Sequence, residues 1–523
     1  MSGGRAGLFD KSLKPLLSRK VLITLAVLPV LLVLIKNLDA VTDIYSGRRT
    51  LFAGGMLIRQ KRPTTPLARS IAHYTMGIIY DNELKTDDAI REYEAALKID
   101  PDIGYVHARL AVDYFLAKQV DKALAELKIA KSLDPLDAKP RFLAALIYTS
   151  LNRFDDARNE YQEIMRVTPD SIWALSSLAD ILVMQEKMNE AASIYEKLIE
   201  KEKDSDVLYF NLGVIYSRMG KTDEAIKSLN EAIRLNPDYM EAHIGLGVLC
   251  EIKKDFGLAI HSFEKALGMD PVNVKIYHYL GRLYYRAKKY DDAVRQYETL
   301  LKLDPKDVYA YIEWANIYLG QKKAAEAIAI LDRALKAGLK ATDLYLALGY
   351  AYSMAEDNDR AMKSYTTAQE LDPGDARVHF YLGSFYEKIQ QKEAAIRELR
   401  KAISLDPDFA DAYNYLGYMF AEDGSNLDEA VSLVKKALEK DPANGAYLDS
   451  LGWAYFKKGS IDEALAELER AVKFEGDDPT VREHLGDVYL RKGMRDKARA
   501  EWKKSLELDP KQDRVRQKLK GTR

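Results

Sequence analysis

The residues of this chain that could do chemistry are most concentrated in one stretch near its C-terminal end, 412–430, which reads AYNYLGYMFAEDGSNLDEA. Four carboxylates, Glu422, Asp423, Asp428 and Glu429, flank a Gly-Ser pair beside three tyrosines. Paired carboxylates can act as general acid and base, and clustered carboxylates can bind divalent cations. The stretch is too short for an EF-hand loop and lacks the ligand spacing of one. We therefore interpret it as a turn.

Acid pairs of the same kind recur elsewhere, for example at Asp223-Glu224, Asp291-Asp292 and Asp462-Glu463. Each pair comes at the predicted start of a helix. Acidic groups there accept hydrogen bonds from free backbone N–H groups and oppose the helix dipole, which contributes about 0.3–1 kcal/mol each. A structural device repeated along the chain is not a catalytic dyad, so we predict no catalytic residue and no enzyme.

The seven histidines and the single cysteine do not form a metal-ligand pattern. Four histidines recur at multiples of 34 residues, which indicates a packing role, and the other three have no His or Cys at ligand spacing. Cys250 is alone, so no intramolecular disulfide can form. Phosphate-binding glycine loops are also missing from the sequence. We predict no metal and no cofactor. The four histidines in register are His73, His107, His243 and His379.

The charge distribution argues against nucleic acid as a partner. The formal net charge is −2, but residues 1–62 carry eleven Lys/Arg and three Asp/Glu, so the rest of the chain carries a net charge of −10. Binding to nucleic acid needs a basic excess that this larger part lacks.

An internal repeat must position whatever site exists. Ten of the sixteen prolines stand 34 or twice 34 residues apart, with one step of 35 between Pro407 and Pro442. In that frame thirteen units run from Ser70 to Gln512. The twentieth position is always alanine, the eighth is Gly or Ala, and the eleventh is tyrosine in ten units. Because Gly inside a helix costs about 0.5–1 kcal/mol relative to Ala, its recurrence indicates that two helices pack closely there.

The motif L-G-x-x-Y, then Ala, then Pro at this spacing resembles the tetratricopeptide repeat. The resemblance covers residues 70–512 and implies an all-α fold, a right-handed α-solenoid of about thirteen 34-residue helix-turn-helix units. One short hydrophobic helix is expected to precede it. The departures are few: Lys203, Leu339 and Gly476 replace the usual proline, and Leu182, Cys250 and Phe420 replace the tyrosine.

The chain is thereby divided into five segments. We predict a basic tail (1–20), a hydrophobic anchor or signal (21–35), a linker (36–69), the thirteen units (70–512) and a C-terminal capping stub (513–523). The stub places Val515 and Leu519 on one side of a short charged helix, as the exposed end of a repeat array requires.

The run VLITLAVLPVLLVLI (21–35) has three interpretations. A helix of this length spans about 22 Å, less than a bilayer core of about 30 Å, so an anchor would need flanking cations to reach the interface. A cleaved signal would fit the length but lacks a small-residue cleavage site. A helix that packs onto a partner is the third. Five cations before the run and three shortly after it favour a cytoplasmic N-terminus and an extracytoplasmic or periplasmic array. Arg59, Lys61 and Arg62 weaken that count, so the cytoplasmic side stays open.

In the tetratricopeptide family, positions 2, 5, 9 and 12 of the first helix line a concave groove. In the seventh unit this implies a basic patch of Lys275, His278 and Arg282, with Arg286 beside them, which could receive a carboxylate. In the eleventh and twelfth units it implies Asn414, Tyr418, Asp449, Trp453 and Phe456. Amide and carboxylate would bond a peptide backbone there while rings hold apolar side chains. The alternative is that these rings pack on a neighbouring helix.

Taken together, these patterns predict a scaffold that presents the groove to protein partners. We expect a bacterial, membrane-tethered protein that serves an envelope, secretion or appendage assembly. One alternative is a soluble or exported adaptor without a retained anchor. A second is self-association through the groove into a coat.

Overall fold

The computed structural model describes residues 65–169 and 171–522, and within those residues every regular element is an α-helix. The described chain divides into two compact units between Pro271 and Val272. The first unit contains α1 (Pro66–Asn82), α2 (Thr86–Ile99), α3 (Gly104–Leu116), α4 (Val120–Leu133), α5 (Ala138–Ser150), α6 (Phe154–Val167), α7 (Ile172–Met184), α8 (Met188–Lys201), α9 (Asp206–Arg218), α10 (Thr222–Leu235), α11 (Met240–Ile252) and α12 (Phe256–Met269).

The second unit continues the same alternation of first and second helices and ends on one additional helix. It contains α13 (Val274–Arg286), α14 (Tyr290–Leu303), α15 (Val308–Gly320), α16 (Ala324–Lys336), α17 (Thr342–Met354), α18 (Asn358–Leu371), α19 (Ala376–Lys388), α20 (Lys392–Leu405), α21 (Ala410–Asp423), α22 (Leu427–Lys440), α23 (Gly445–Lys458), α24 (Ile461–Glu475), α25 (Pro479–Arg491), α26 (Arg495–Leu508) and α27 (Asp513–Gly521).

Within each unit every first helix packs against the second helix of its own repeat, and that second helix packs against the next first helix. Apolar side chains from both fill the space between them, so the buried core follows the row of helices. This is an α-solenoid built from helix pairs, as the sequence predicts.

The turn between the two helices of a repeat uses a left-handed residue at position 15. In repeat 5 this residue is Gly220, with φ of 72°, and in repeat 2 it is Lys118, with φ of 61°. The next N–H then donates back to the carbonyl at position 11, as Gln119 N does to Tyr114 O at 2.7 Å. That bond satisfies a carbonyl the helix end would leave free. A left-handed conformation costs free energy for Lys but not for Gly. The hydrogen bond offsets that cost in the repeats that have a residue other than Gly at position 15.

Small residues at positions 8 and 20 allow the close approach that the sequence predicts. The position-20 alanines, such as Ala293 and Ala259, have no solvent exposure. A Cβ added to Gly281 would lie 2.4 Å from Cζ of Tyr297, and one added to Gly247 would lie 2.6 Å from the Phe263 ring. At these repeats a large ring on the second helix occupies the space above the glycine.

The stretch 412–430 forms most of α21, a turn and the start of α22. Gly424 and Asn426 are both left-handed, with φ of 69° and 48°, and this accommodates the one extra residue of the eleventh repeat. Asp428 and Glu429 lie in the first turn of α22. Glu422 and Asp423 are the last two residues of α21, so the four carboxylates lie at the end of one helix and the start of the next.

The two ends of the described chain are formed differently from the inner repeats. Helix α1 begins at Pro66, inside the range 36–69 assigned to a linker, because proline suits the first helical turn and Thr65 Oγ1 accepts from Ala68 N at 3.2 Å. At the other end α27 buries Val515 completely against repeat 13, with Leu519 packed beside it. Its placement is that of a next first helix.

None of the helices in residues 65–169 and 171–522 is long and apolar enough to cross a membrane. The predicted anchor or signal, residues 21–35, lies outside the described residues.

Candidate functional site

The predicted site residues lie on the first helices of repeats 7, 11 and 12, which are α13, α21 and α23. We use groove face for positions 2, 5, 9 and 12 of each first helix, which helical periodicity places on one side. Asn414 and Tyr418 are four residues apart on α21; on α23 four residues separate Asp449 from Trp453 and three separate Trp453 from Phe456. Repeat 13 (α25) continues this face within the same unit.

One member of the basic patch of repeat 7, His278, is paired with two carboxylates of repeat 8. His278 Nε2 lies 2.8 Å from Asp307 Oδ2, and its Nδ1 lies 3.3 Å from Glu313 Oε2. Burial lowers the pKa of the His278 imidazole, but these two carboxylates outweigh it and raise the pKa to about 9. The His278 charge already has two carboxylate partners within the protein, and its contact with a ligand stays a prediction.

The other members of the basic patch differ in accessibility. Lys275 and Arg286 are exposed. The Arg282 guanidinium is half-buried and lies 5.2 Å from the centroid of the Tyr279 ring. The structure thus brings the cations to one helix face but does not form a pocket of free cations.

In repeat 12 two of the three residues predicted to bind a peptide are buried. Asp449 is 6% exposed, and His484 of repeat 13 places Nδ1 2.9 Å and 3.0 Å from its two carboxylate oxygens. Trp453 is 3% exposed, and its ring stacks on His484 at 4.0 Å and on Phe456 at 5.1 Å. Burial lowers the pKa of His484, but the Asp449 charge outweighs it and raises the pKa.

In this structure both side chains pack on the neighbouring helix, which is the alternative that the sequence left open, and contact of Asp449 and Trp453 with a ligand stays a prediction. The physical reason is that one His484 ring supplies both a hydrogen-bonding nitrogen for Asp449 and a flat face for Trp453. The same side chain pairs with Asp449 and stacks on Trp453.

These contacts follow a rule that connects successive repeats. At these junctions position 5 of one first helix meets position 6 of the next, as in His278 with Glu313 and Asp449 with His484. The C-terminal helix obeys the same rule, because Lys518 Nζ lies 2.6 Å from Glu483 Oε1. Sequence reasoning missed this contact between first helices because only positions 2, 5, 9 and 12 were compared. The signal was present as opposite charges at positions 5 and 6 of adjacent repeats.

Three predicted residues remain partly accessible. Asn414 is half-buried, and its Oδ1 has no hydrogen-bond partner among the described residues. Tyr418 OH donates to Glu422 Oε1 at 3.1 Å, and burial together with the charges of Glu422 and Asp449 raises the pKa of the phenol. Phe456 keeps part of its ring in solvent. A buried acceptor without a donor is costly, which marks Asn414 as the residue of the face in need of a partner.

Phe456 lines a cleft of about 580 Å³ that lies between repeats 12 and 13 and the C-terminal helix. Its walls include Leu490 and Arg491, both exposed, and Lys518. Lys518 also places Nζ 2.5 Å from Asp487 Oδ2 and 2.6 Å from Glu483 Oε1, and these bonds outweigh burial and lower the pKa of Glu483. Leu490 and Arg491 were not predicted. Position 12 of repeat 13, which is Leu490, would have identified the cleft.

The in-register histidines pack inside their repeats. His107 lies 2.5 Å from Glu126 Oε2 and 2.8 Å from the Pro101 carbonyl, and His379 makes the equivalent contacts with Glu398 and Pro373. Within residues 65–169 and 171–522 no group of three or more His, Cys, Asp or Glu side chains is placed to hold a metal ion.

Solved structures similar in fold include the APC/C hetero-tetramer Cut9–Hcn1 (16% identity, 87% of this chain and 96% of that chain, TM-score 0.41). Yeast Tom70 gives 19% identity, 87% and 94% coverage and a TM-score of 0.40. A thermophilic TPR protein of Thermus thermophilus, TTC0263, gives 24% identity, 35% and 98% coverage and a TM-score of 0.32. No curated protein matches the sequence.

Family models match most of the described chain. Those described as tetratricopeptide repeat match residues 74–138, 142–206, 207–239, 241–273, 280–342, 342–375 and 480–512, and one described as TPR repeat matches 388–424 and 452–493. These ranges follow the helix pairs described above. The chain belongs to the tetratricopeptide repeat family.

Proposed function

We propose that this protein is a non-catalytic scaffold that binds a protein partner through the groove face of repeats 11 to 13. The observation that carries the proposal is the Asn414 Oδ1 acceptor, which has no hydrogen-bond partner among the described residues, on a face that continues into the cleft at Phe456. This oxygen is buried, and rotation of the Asn414 side chain towards the groove would present it to the backbone N–H donors of an extended segment of a partner.

The cleft suggests how the partner is held. Phe456 and Leu490 offer apolar surface to one side chain of the partner, and Tyr418 borders the same face. Arg491 is exposed at the cleft wall and suits a carboxylate of the partner. Asp449, Trp453 and His484 stiffen this face from below by their stacking and ion pair.

A site-specific photocrosslink tests the proposal. A benzophenone amino acid replaces Tyr418 in one full-length variant and Leu508, an exposed residue of the second helix α26, in another. We expect a discrete crosslinked partner from position 418 and none from position 508. The same product from both positions would contradict binding through the groove face.

Matched substitutions then identify the residues that bind. Phe456→Ala and Asn414→Ala are expected to reduce the yield of the crosslink from position 418. Phe474→Ala is the control, because Phe474 is also exposed but lies on the second helix α24. Equal yields from Phe456→Ala and Phe474→Ala would remove the cleft from the binding site.

We further propose that residues 21–35 tether the scaffold to a membrane, with the repeats on the extracytoplasmic side, in a bacterial envelope, secretion or appendage assembly. The apolar run and its flanking cations support the tether. The test is membrane fractionation of the full chain and of a variant with Asp at positions 26 and 31. Transfer of that variant to the soluble fraction supports the tether, whereas a soluble full chain with a shortened N-terminus supports the exported adaptor.

Self-association through the groove face is the remaining alternative. Sedimentation of the full chain in detergent, compared with Phe456→Ala, separates it from partner binding. A mass that rises with concentration and falls in the variant would support a coat.

A further inference from the structure

The first helices have a second side, distinct from the groove face, at positions 3, 7 and 10. Three and four residues separate these positions, so they lie together on one side of a helix. In repeats 2 to 13 every residue at the three positions is buried. Repeat 2 shows the reason, because Val106 and Leu110 of α3 share a core cluster with Ala96 of α2, the second helix of the preceding repeat. This is the side of α3 that receives α2.

In repeat 1 the same side of the first helix is exposed. Ala72, Met76 and Ile79 of α1 occupy positions 3, 7 and 10, and all three are exposed, Met76 by 38% and Ile79 by 41%. We call these three residues the end face. Burial of apolar area is favourable by about 25 cal/mol per Å², so the end face would be stabilised by a cover. Its side chains are the apolar type that receives a packed helix in the other repeats.

The C-terminal end shows how this chain covers the other end of its repeats. Helix α27 has Val515 at position 3 and Leu519 at position 7, and both pack on the core of repeat 13. Its Asp513, Arg516 and Lys520 are exposed. A repeat array needs such a polar covering element at each end. No helix precedes α1 among residues 65–169 and 171–522, so the end face has no equivalent of α27 there.

The sequence directly before α1 has the apolar side chains for such a cover. Residues 51–62 read LFAGGMLIRQKR and end three residues before α1 begins at Pro66. Leu51, the two glycines and Ile58 follow the spacing i, i+3, i+4 and i+7, which places them on one side of a helix and allows close approach. A helix of this length would extend about 18 Å. Four residues connect α2 to α3, so a connection of three is of the usual length for neighbouring helices.

Proximity favours this segment over a free partner as the occupant. A segment joined to its site by a short connection has an effective concentration in the millimolar range. Each glycine within a helix costs about 1 kcal/mol relative to Ala, and a helix of twelve residues is marginal in water. The segment therefore needs a surface to pack on, and the end face is the apolar surface next to it in the chain.

We propose that residues 51–62 dock on the end face and cap the N-terminal end of the repeats. The segment takes the place on α1 that α2 has on α3, and its Arg59, Lys61 and Arg62 provide a charged part, as α27 does at the other end. Residues 36–50 then form the whole connection between the apolar run 21–35 and the repeats. This contact is separate from the groove face and goes beyond the function proposed above.

Thiol labelling of the full chain measures the cover. Cys250 is the single cysteine and is 2% exposed, so a PEG-maleimide should not react with the unaltered folded chain. Met76→Cys introduces a thiol on the end face, and Lys98→Cys introduces a control thiol at an exposed position of α2. Labelling is followed as a band shift of the tagged chain in lysate, without a detergent that could cover an apolar surface. We expect Met76→Cys to react about tenfold more slowly than Lys98→Cys.

Matched variants assign the protection to the segment. Leu57→Ser with Ile58→Ser should raise the labelling rate of Met76→Cys about tenfold, because the segment loses two apolar side chains. Val41→Ser with Ile44→Ser should leave that rate unchanged, because the same number of apolar side chains is removed outside the segment. Neither pair of substitutions should alter the labelling of the control thiol on α2.

Three results would overturn the proposal. The first is an end-face thiol that reacts as fast as the control thiol in the otherwise unaltered chain. The second is protection that survives Leu57→Ser with Ile58→Ser, which would mean that another part of the chain covers the end face. The third is protection that is lost on dilution of the lysate, which would assign the end face to a separate molecule such as a second copy. Phe456→Ala should leave the protection intact, so failure here is distinct from failure at the groove face of repeats 11 to 13.

Discussion

Replacing Asp113 by Asn should stabilise the first two repeats and remove a dependence on pH. Asp113 of α3 is 3% exposed, and one of its carboxylate oxygens has no partner among the described residues. It lies against Asp81 of α1, which accepts from Tyr93 OH at 2.5 Å and lies 3.6 Å from Arg109 Nη1. Two buried carboxyl groups with one cation nearby are most stable when they share a proton.

The magnitude follows from the pKa. Burial, and after it the charge of Asp81, raises the pKa of Asp113 from 3.8 to about 8. Between those values the folded chain binds the proton more strongly than the unfolded chain, so the stabilisation is fully present below about pH 4 and declines as pH rises through 8. At about 1.4 kcal/mol per pKa unit the decline is at most about 6 kcal/mol. The Asn amide donates to Asp81 without a charge, so we expect Asp113→Asn to gain about 2–4 kcal/mol at pH 8.

Hydrogen exchange of the full chain measures this locally, because the end of a repeat array opens without the rest. Protection factors, which are corrected for the intrinsic rate, are compared for α1 to α3 at pH 5 and pH 8. The unaltered chain should lose protection there between the two pH values, and Asp113→Asn should not. Protection of α15 to α18 should be the same in both proteins.

Asp121→Asn is the control, since Asp121 is exposed in the first turn of α4. It should keep the pH dependence of α1 to α3. Our reasoning fails if Asp113→Asn shows the same loss of protection as the unaltered chain, or if it lowers protection at pH 8.

Three further substitutions test the packing within a repeat and the polar contacts between neighbouring first helices. Gly281→Ala should cost about 1–3 kcal/mol in urea denaturation because its Cβ would lie 2.4 Å from Tyr297, whereas Gly268→Ala, with no atom within 4 Å, should not destabilise. His484→Gln should make the free energy of unfolding less dependent on pH above pH 6.5. The raised pKa of His484 stabilises the fold below that value, and this stabilisation is lost as pH rises through the folded pKa. An unchanged pH profile would refute the stabilising contact between His484 and Asp449. Lys518→Ala should cost about 1–3 kcal/mol and speed proteolysis at α27, and equal rates for Lys518→Ala and the exposed Lys520→Ala would argue against it.

The repeat, its length and the internal packing of each helix pair were predictable from the sequence. The reason is that these features depend on residues close in the chain. Position 20 must be small wherever two helices joined by a short turn cross, so Ala293 and its equivalents recur, and the glycines facing them recur with them. Proline after each second helix ends it wherever it stands. The turn at 424–426 was predictable for the same reason.

The site was only partly predictable, because its contacts join different repeats. Helical periodicity placed Asn414, Tyr418 and Phe456 on the groove face and equally placed Asp449 and Trp453 there. Which of them stays accessible depends on the rotation from one first helix to the next, a sum of many small packing contacts that no single position encodes. That rotation brings His484 over Trp453 and Glu313 to His278.

The sequence by itself therefore determined the helices and their pairing, and helical periodicity defines the face that we propose for partner binding. Only the tertiary structure decided which polar groups on that face are satisfied by the next repeat and which, like Asn414 Oδ1, lack a partner among the described residues. The physical reason is distance along the chain. Local patterns fix contacts within one repeat of 34 residues, whereas hydrogen bonds between repeats depend on the accumulated geometry of two helices and two turns.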